Sequence, residues 1–190
     1  MASRPPDFEG LLARLTTVLD RRGVPFMLIG GQAVLLHGDP RLTQDVDVTL
    51  GLGPECWSTL VDACADIGLE PLPDDVQRFV ETTFVLPALD EATGIRVDLI
   101  FSTTPYEAQA IDRAIRLEIA GEQVPFVTAE DLIIHKLFAG RARDLDDAAG
   151  VVRRKGPELD WDYMREWAEA FAQVEGREEL PAQLEQLRDA

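Results

Sequence analysis

Two aspartates one residue apart, Asp45 and Asp47, interrupt a stretch from Gln44 to Leu50 that otherwise reads as a half-buried β-strand. Residues i and i+2 of a strand share a face, so both carboxylates project together while Val46, Val48 and Leu50 turn to the other side. The pattern needs a sheet that is packed on one face and open on the other. Two like charges side by side repel unless a cation lies between them. Carboxylate oxygens suit Mg²⁺ or Mn²⁺, which take one or two of them and complete their shell with waters and phosphate oxygens. A merely solvated strand face is the competing reading, and the apolar flanks speak against it.

The surrounding chain supplies the rest of such a sheet. Residues 7–22 place Phe8, Leu11, Leu12, Leu15, Val18 and Leu19 at helical spacing, with Asp7 as cap and Gly23 as stop. Val24 to Ile29 reads as a buried strand running into Gly30-Gly31, and Gln32 to His37 as a short helix. Pro54 to Ile67 has a helical pattern ending at Gly68. From Phe79 the texture turns to β, with Thr82 to Leu89 and Ile95 to Phe101 flanking a turn. Pro105 to Arg116 predicts a helix, and Leu117 to Val127 a strand pair around Gly121. Thr128-Ala129-Glu130-Asp131 resembles a capping box, and helices follow over 129–139, 141–154, 160–174 and 179–188. The reading is α+β, with a core over residues 1–127 and a helical region over 128–190 that completes the site and packs on the core.

Charge narrows the function classes. The chain of 190 residues carries 18 basic and 35 acidic side chains, a net charge of −17, which repels phosphate backbones and argues against indiscriminate nucleic-acid binding. Residues 136–155 alone have a clear positive excess, six basic against three acidic groups, so an anionic ligand is expected near them. No apolar run approaches the roughly 20 residues that span a bilayer, so no membrane is expected among the partners. The start, Met1-Ala2-Ser3-Arg4-Pro5-Pro6-Asp7, has no apolar segment, so no signal peptide is expected. Cys56 and Cys64, eight apart in one predicted helix, offer no disulfide framework and fit a reducing cytoplasm.

Three further features carry chemistry. Gly30 and Gly31, between a strand and a helix start, let backbone approach a ligand and present amides to phosphate, although double glycines also end strands for steric reasons. Asp98, within Arg96-Val97-Asp98-Leu99-Ile100-Phe101, is a lone carboxylate in an apolar strand. It either pairs with Arg96 on the same face or completes the Asp45/Asp47 cluster as ligand or base. Lys136, Arg143 and Asp147 share one helical face if the helix runs through Gly140, where Lys136 and Arg143 could hold a triphosphate and Asp144 or Asp147 orient them. A solvated, charge-laced helix face is the alternative. His37 and His135 read as packing or capping residues, and Trp57, Trp161 and Trp167 as helix anchors.

Order and spacing join these features. Ile29-Gly30-Gly31-Gln32-Ala33, then Gly38, Arg41, Thr43 and Asp45-Val46-Asp47, form one block that resembles the signature of the DNA-polymerase-beta-like nucleotidyltransferase superfamily. The Gly-x-x-Arg-x-Thr-x-Asp-x-Asp pattern, with Lys136 and Arg143-Asp144-x-x-Asp147 downstream, is similar to its abortive-infection toxin (AbiEii-like) branch and related uncharacterised bacterial proteins. The resemblance runs from about residue 24 to 147. It implies a small mixed sheet flanked by helices and an NTP-dependent enzyme that moves NMP to a hydroxyl acceptor and releases pyrophosphate. Asp45, Asp47 and Asp98 would bind Mg²⁺ or Mn²⁺ and act catalytically. Gly30, Gly31, Thr43, Lys136 and Arg143 would bind the nucleotide's phosphates, supported by Arg41, Asp144 and Asp147. Arg41 is expected to hold the turn, and Arg143 either to meet phosphate or to lock the helix through Asp147. The acceptor implied is an RNA end, a protein or a small molecule such as an aminoglycoside; tRNA is disfavoured by the net charge. A toxin–antitoxin role with a partner protein is implied, and a non-catalytic nucleotide- or protein-binding module is the alternative.

Overall fold

The computed structural model describes residues 7–189. The reading of the chain's start therefore lies outside the described residues. Among those described there are seven strands and nine α-helices, arranged as a mixed α+β fold. Two compact units divide the chain. One takes the chain up to Gly30 and resumes over Thr43–Phe126; the other takes Gly31–Leu42 and everything from Val127.

The first unit is built on the sheet. Helix α1 (Phe8–Arg21), capped by Asp7 on the Gly10 amide, buries Leu11, Leu15 and Leu19 and packs against the strand over Glu122–Phe126. The strands are β1 (Phe26–Ile29), β2 (Asp45–Leu50), β3 (Leu69–Pro71), β4 (Val85–Asp90), β5 (Arg96–Phe101), β6 (Ile115–Ile119) and β7 (Glu122–Phe126). Their order across the sheet is β3-β4-β5-β2-β1-β7-β6. β2 runs antiparallel to β1 and parallel to β5, so the strand that carries Asp45 and Asp47 is central. Its other face is core: Val46, Val48 and Leu50, with Val97 and Leu99 of β5, are fully buried.

The helices of this unit follow their sequence signals with one exception. Pro54–Cys56 is a single 3-10 turn leading into α3 (Trp57–Ile67), which stops at Gly68. Cys56 therefore precedes the helix that holds Cys64, and both thiols are free. Burial pushes the Cys64 thiol up to about 12, leaving it an inert packing group. Helix α4 (Val76–Thr83) occupies part of the stretch expected to be β. It is capped by Asp75, buries only Val80, and ends with Phe84 in the left-handed region. Helix α5 (Pro105–Arg113) has Thr104 as its cap.

The second unit is helical. It contains α2 (Gly30–His37, from Gly31 on), α6 (Ala129–Ala139), α7 (Ala142–Lys155), α8 (Trp161–Phe171) and α9 (Leu180–Asp189). Thr128 caps α6 through the Asp131 amide, while its hydroxyl also donates to the fully buried Asp131 carboxylate, which accepts from Tyr163 as well. Gly140, with φ of 70°, ends α6, so α6 and α7 are two helices packed together and not one. The expected single face carrying Lys136, Arg143 and Asp147 is thereby broken. His37 is buried with its Nε2 2.8 Å from the Val127 carbonyl oxygen, which ties α2 to the start of the C-terminal helices. Phe138 and Trp167 pack on the Phe171 ring at 5.0 and 5.9 Å between centroids.

Candidate active site

Three strands bring the acidic residues of the sheet unit to one level. Asp47 of β2 lies in register between Ile29 of β1 and Asp98 of β5, and Asp45 lies opposite Arg96. In-register neighbours are about 4.8 Å apart and share a face. Asp45, Asp47 and Asp98 therefore project on the same side, opposite the buried valines. Asp45 is exposed and Asp47 and Asp98 half-buried. Such a face holds ions without the full desolvation cost of a buried site.

Local bonds orient each carboxylate. The Thr43 hydroxyl donates to Asp45 Oδ1 at 2.9 Å. Arg96 Nε donates to Asp98 Oδ1 at 2.9 Å, the same-face pairing foreseen as one of two roles for Asp98. Gly30, where β1 turns into α2, has φ of +62°, and a Cβ there would collide with the Asp47 carboxylate. A side chain at position 30 would thus be excluded twice, by backbone conformation and by Asp47. The missing side chain at Gly30 leaves room for the Asp47 carboxylate.

Among the described residues no group of three or more acidic, histidine or cysteine side chains is arranged to hold a metal ion. The donor set present is two carboxylates of one strand and a third on its neighbour, all oxygen. Of these, the Asp45 and Asp47 pair has the chemistry that suits Mg²⁺ or Mn²⁺, which bind through one or two carboxylates with water and phosphate oxygens and not in all-protein cages. A third bond from Asp98 requires its carboxylate to turn from Arg96.

The other sequence-selected residues come together in the helical unit. Lys136 is buried, and its ammonium donates to Asp144 Oδ1 at 2.8 Å and to Asp147 Oδ2 at 2.9 Å. Burial alone would raise both carboxyls; the bonds from Arg141 and Lys136 to Asp144, and from Arg41 and Lys136 to Asp147, outweigh it and hold both below the usual carboxylate range. Arg41 grips Asp147 with two nitrogens, Nε to Oδ1 at 2.8 Å and Nη2 to Oδ2 at 3.0 Å. The expected lock between Arg143 and Asp147 does not form. Arg143 is exposed on α7 with no acid partner among the described residues, one turn before Asp147, whose two carboxylate oxygens are taken by Arg41 and Lys136. The partner that sequence could not supply is Arg41, 106 residues away.

Residues 11–190 match the family described as the nucleotidyl transferase AbiEii toxin of type IV toxin–antitoxin systems. The chain belongs to that family. It is a nucleotidyltransferase by membership, and solved structures share its fold. An antigenic nucleotidyltransferase-like protein from Paracoccidioides brasiliensis is similar at a TM-score of 0.57 and 16% identity, over 95% of this chain and 94% of that one. The lincosamide antibiotic adenylyltransferase LnuA, solved with lincomycin, is similar at 0.52 and 16% over 78% of this chain and 98% of its own. ANT(2'')-Ia, solved with adenylyl-2''-tobramycin, is similar at 0.50 and 17% over 95% and 97%. At these identities the likeness is one of fold. No curated protein matches the sequence. Among the described residues no helix is long and apolar enough to cross a membrane.

Proposed function

We propose that this AbiEii-family nucleotidyltransferase moves a nucleoside monophosphate from an NTP to an acceptor hydroxyl, with divalent ions held by Asp45 and Asp47, in the cytoplasm. The observation that carries the reading is the register Ile29–Asp47–Asp98, which sets three carboxylates on one open sheet face beside Gly30. Bound Mg²⁺ or Mn²⁺ supplies charge neutralisation for the entering and leaving oxygens. Asp98 is suited to accept the acceptor hydroxyl's proton once its bond to Arg96 is exchanged. The freed oxygen attacks the α-phosphorus in line, the α–β bridging bond breaks, and pyrophosphate leaves. The amides of Gly30 and Gly31, at the start of α2, suit the triphosphate oxygens. Thr43 fixes the Asp45 rotamer. Arg143, a solvent-facing cation, is the candidate for an anionic group of the substrate.

The acceptor is read from charge. Much of the only positive stretch is engaged within its own unit, since Arg153 pairs with Asp39, Arg154 donates to the Gly38 carbonyl and Lys155 pairs with Glu158. Little of it remains for a long nucleic-acid backbone. A small cationic molecule or a protein hydroxyl suits the acidic chain better than tRNA, and the family places the activity in a toxin–antitoxin setting. Incubation with α-³²P- and γ-³²P-NTP in parallel tests the reaction. Transfer of α-label to RNA, protein or small-molecule fractions, with γ-label recovered as pyrophosphate, is the expected result. Label transfer from the γ position refutes nucleotidyl transfer.

A further inference from the structure

Five charged residues of the helical unit form one alternating chain: Arg141, Asp144, Lys136, Asp147, Arg41. Arg141 Nε donates to Asp144 Oδ2 at 2.5 Å, Lys136 bridges both aspartates, and Arg41 closes the far end on Asp147. The Lys136, Asp144 and Asp147 side chains are 10%, 4% and 5% exposed, whereas Arg141 at the near end is 78% exposed. A buried ammonium is tolerated only when paired and hydrogen-bonded, and two carboxylates meet that need here.

The chain is also one end of a longer contact. Asp147, Gly150 with Val151, and Arg154 follow at i, i+3/i+4 and i+7, one face of α7. Along that face runs the segment Gly38–Arg41. A Cβ on Gly150 would stand 3.2 Å from the Asp39 amide nitrogen, and a Cβ on Gly38 would meet Val151 Cγ2 at 3.1 Å. Arg154 donates to the Gly38 carbonyl, Arg153 pairs with Asp39, and Asp147 holds Arg41. Residues 39–44 have no regular secondary structure. Side chains of α7 fix this segment.

The geometry points to a positioning role: α7 is a cradle for the segment that leads into Thr43 and Asp45, and Lys136 is the buried counter-charge of the cradle's clamp and not a ligand of the nucleotide. The structural half stands on bonds within the helical unit. The statement about nucleotide rests on the proposed function, so the test reads the two separately.

Lys136→Met, the double variant Lys136→Met/Asp144→Asn and Arg41→Gln are compared with the wild type by thermal denaturation without nucleotide. They are also titrated calorimetrically with each Mg²⁺-NTP. A nitroxide on Leu42→Cys, a site 80% exposed, in a Cys56→Ser background reports the segment's mobility. Lys136→Met leaves two buried carboxylates short of a cation, and its Tm falls by about 6–20 °C. The double variant removes one charge of each sign and keeps the Asp147–Arg41 grip. It recovers at least half of that loss, keeps the label immobile, and binds the NTP that the wild type binds within about threefold. Arg41→Gln mobilises the label.

A Lys136→Met Tm within about 2 °C of wild type overturns the clamp, as does a double variant no more stable or no better folded than the single one. A double variant that recovers its Tm but loses NTP affinity more than tenfold makes Lys136 a nucleotide ligand and overturns the positioning role. If no NTP binds the wild type, the nucleotidyl-transfer reading fails, and the melting and label measurements still decide the clamp.

Discussion

Gly30→Ala drives a methyl group into the Asp47 carboxylate. The backbone at position 30 has φ of +62°, a conformation that costs an L-residue about 1–2 kcal/mol. The new Cβ would also stand 3.0 Å from Asp47 Cβ and overlap its carboxylate, forcing that side chain off its rotamer for about another 1 kcal/mol. Together these predict a loss of about 2–3 kcal/mol, or about 4–12 °C in Tm for a chain of this size. Gly94→Ala is the matched control: its φ is +72° and nothing lies within 4 Å, so it incurs the backbone cost alone. The functional arm is Mn²⁺ affinity, measured by calorimetry or by the free-ion electron paramagnetic resonance signal. Displacing Asp47 weakens binding about tenfold, equivalent to about 1.4 kcal/mol, while Gly94→Ala leaves it unchanged. If Gly30→Ala is no more destabilising than Gly94→Ala and binds Mn²⁺ as well as wild type, the close fit of Gly30 to Asp47 is not what the sequence needs a glycine for.

Acid should loosen the helical unit before Asp144 and Asp147, both held below the usual carboxylate range, titrate. Burial holds His135 down to about 4, against 6.5 in an unfolded chain, so unfolding takes up a proton throughout that window. Stability therefore falls as pH drops from 6.5 towards 4, by up to about 3 kcal/mol; His37, also lowered by burial, acts in the same direction. Urea midpoints for wild type and His135→Gln between pH 7 and 4.5 check this, and an equal slope in both removes His135 as the cause. Thr128→Ala removes the α6 cap and one of the bonds to buried Asp131, with an expected loss of about 1–2 kcal/mol. Urea denaturation that finds less than about 0.5 kcal/mol would show the cap to be replaced by water.

Much of this architecture is written in periodicity and punctuation. Leu11, Leu15 and Leu19, the alternation of Val46 and Val48 with the aspartates, and the stops at Gly68 and Gly140 mark elements through the local backbone preferences that create them. Helix α4 escapes because Val76–Thr83 is rich in β-branched residues, buries only Val80, and ends at Phe84, a residue that signals no stop. Strand β3 is three residues long and contains a proline, too short for any pattern. The order of strands is a matter of which surfaces pair, so the placement of β2 between β1 and β5, which brings Asp98 beside Asp47, has no local signal. The same holds for Arg41 and Asp147: each is visible as a charged residue in a motif, but their bond depends on the fold. Lys136 and Arg143 show the opposite hazard. Their spacing fits one face only if Gly140 is helical, and its left-handed conformation sends one inward and the other to solvent.

The most direct test is Mg²⁺-dependent binding of each of the four NTPs by calorimetry, with wild type beside Asp45→Asn/Asp47→Asn. The double variant relieves like-charge repulsion on an open face, so it should fold at least as stably as the parent. The account predicts metal-dependent binding of an NTP to the wild type and its disappearance in the folded variant. Binding that persists unchanged without Asp45 and Asp47, or no NTP binding to folded wild type with either Mg²⁺ or Mn²⁺, would contradict it.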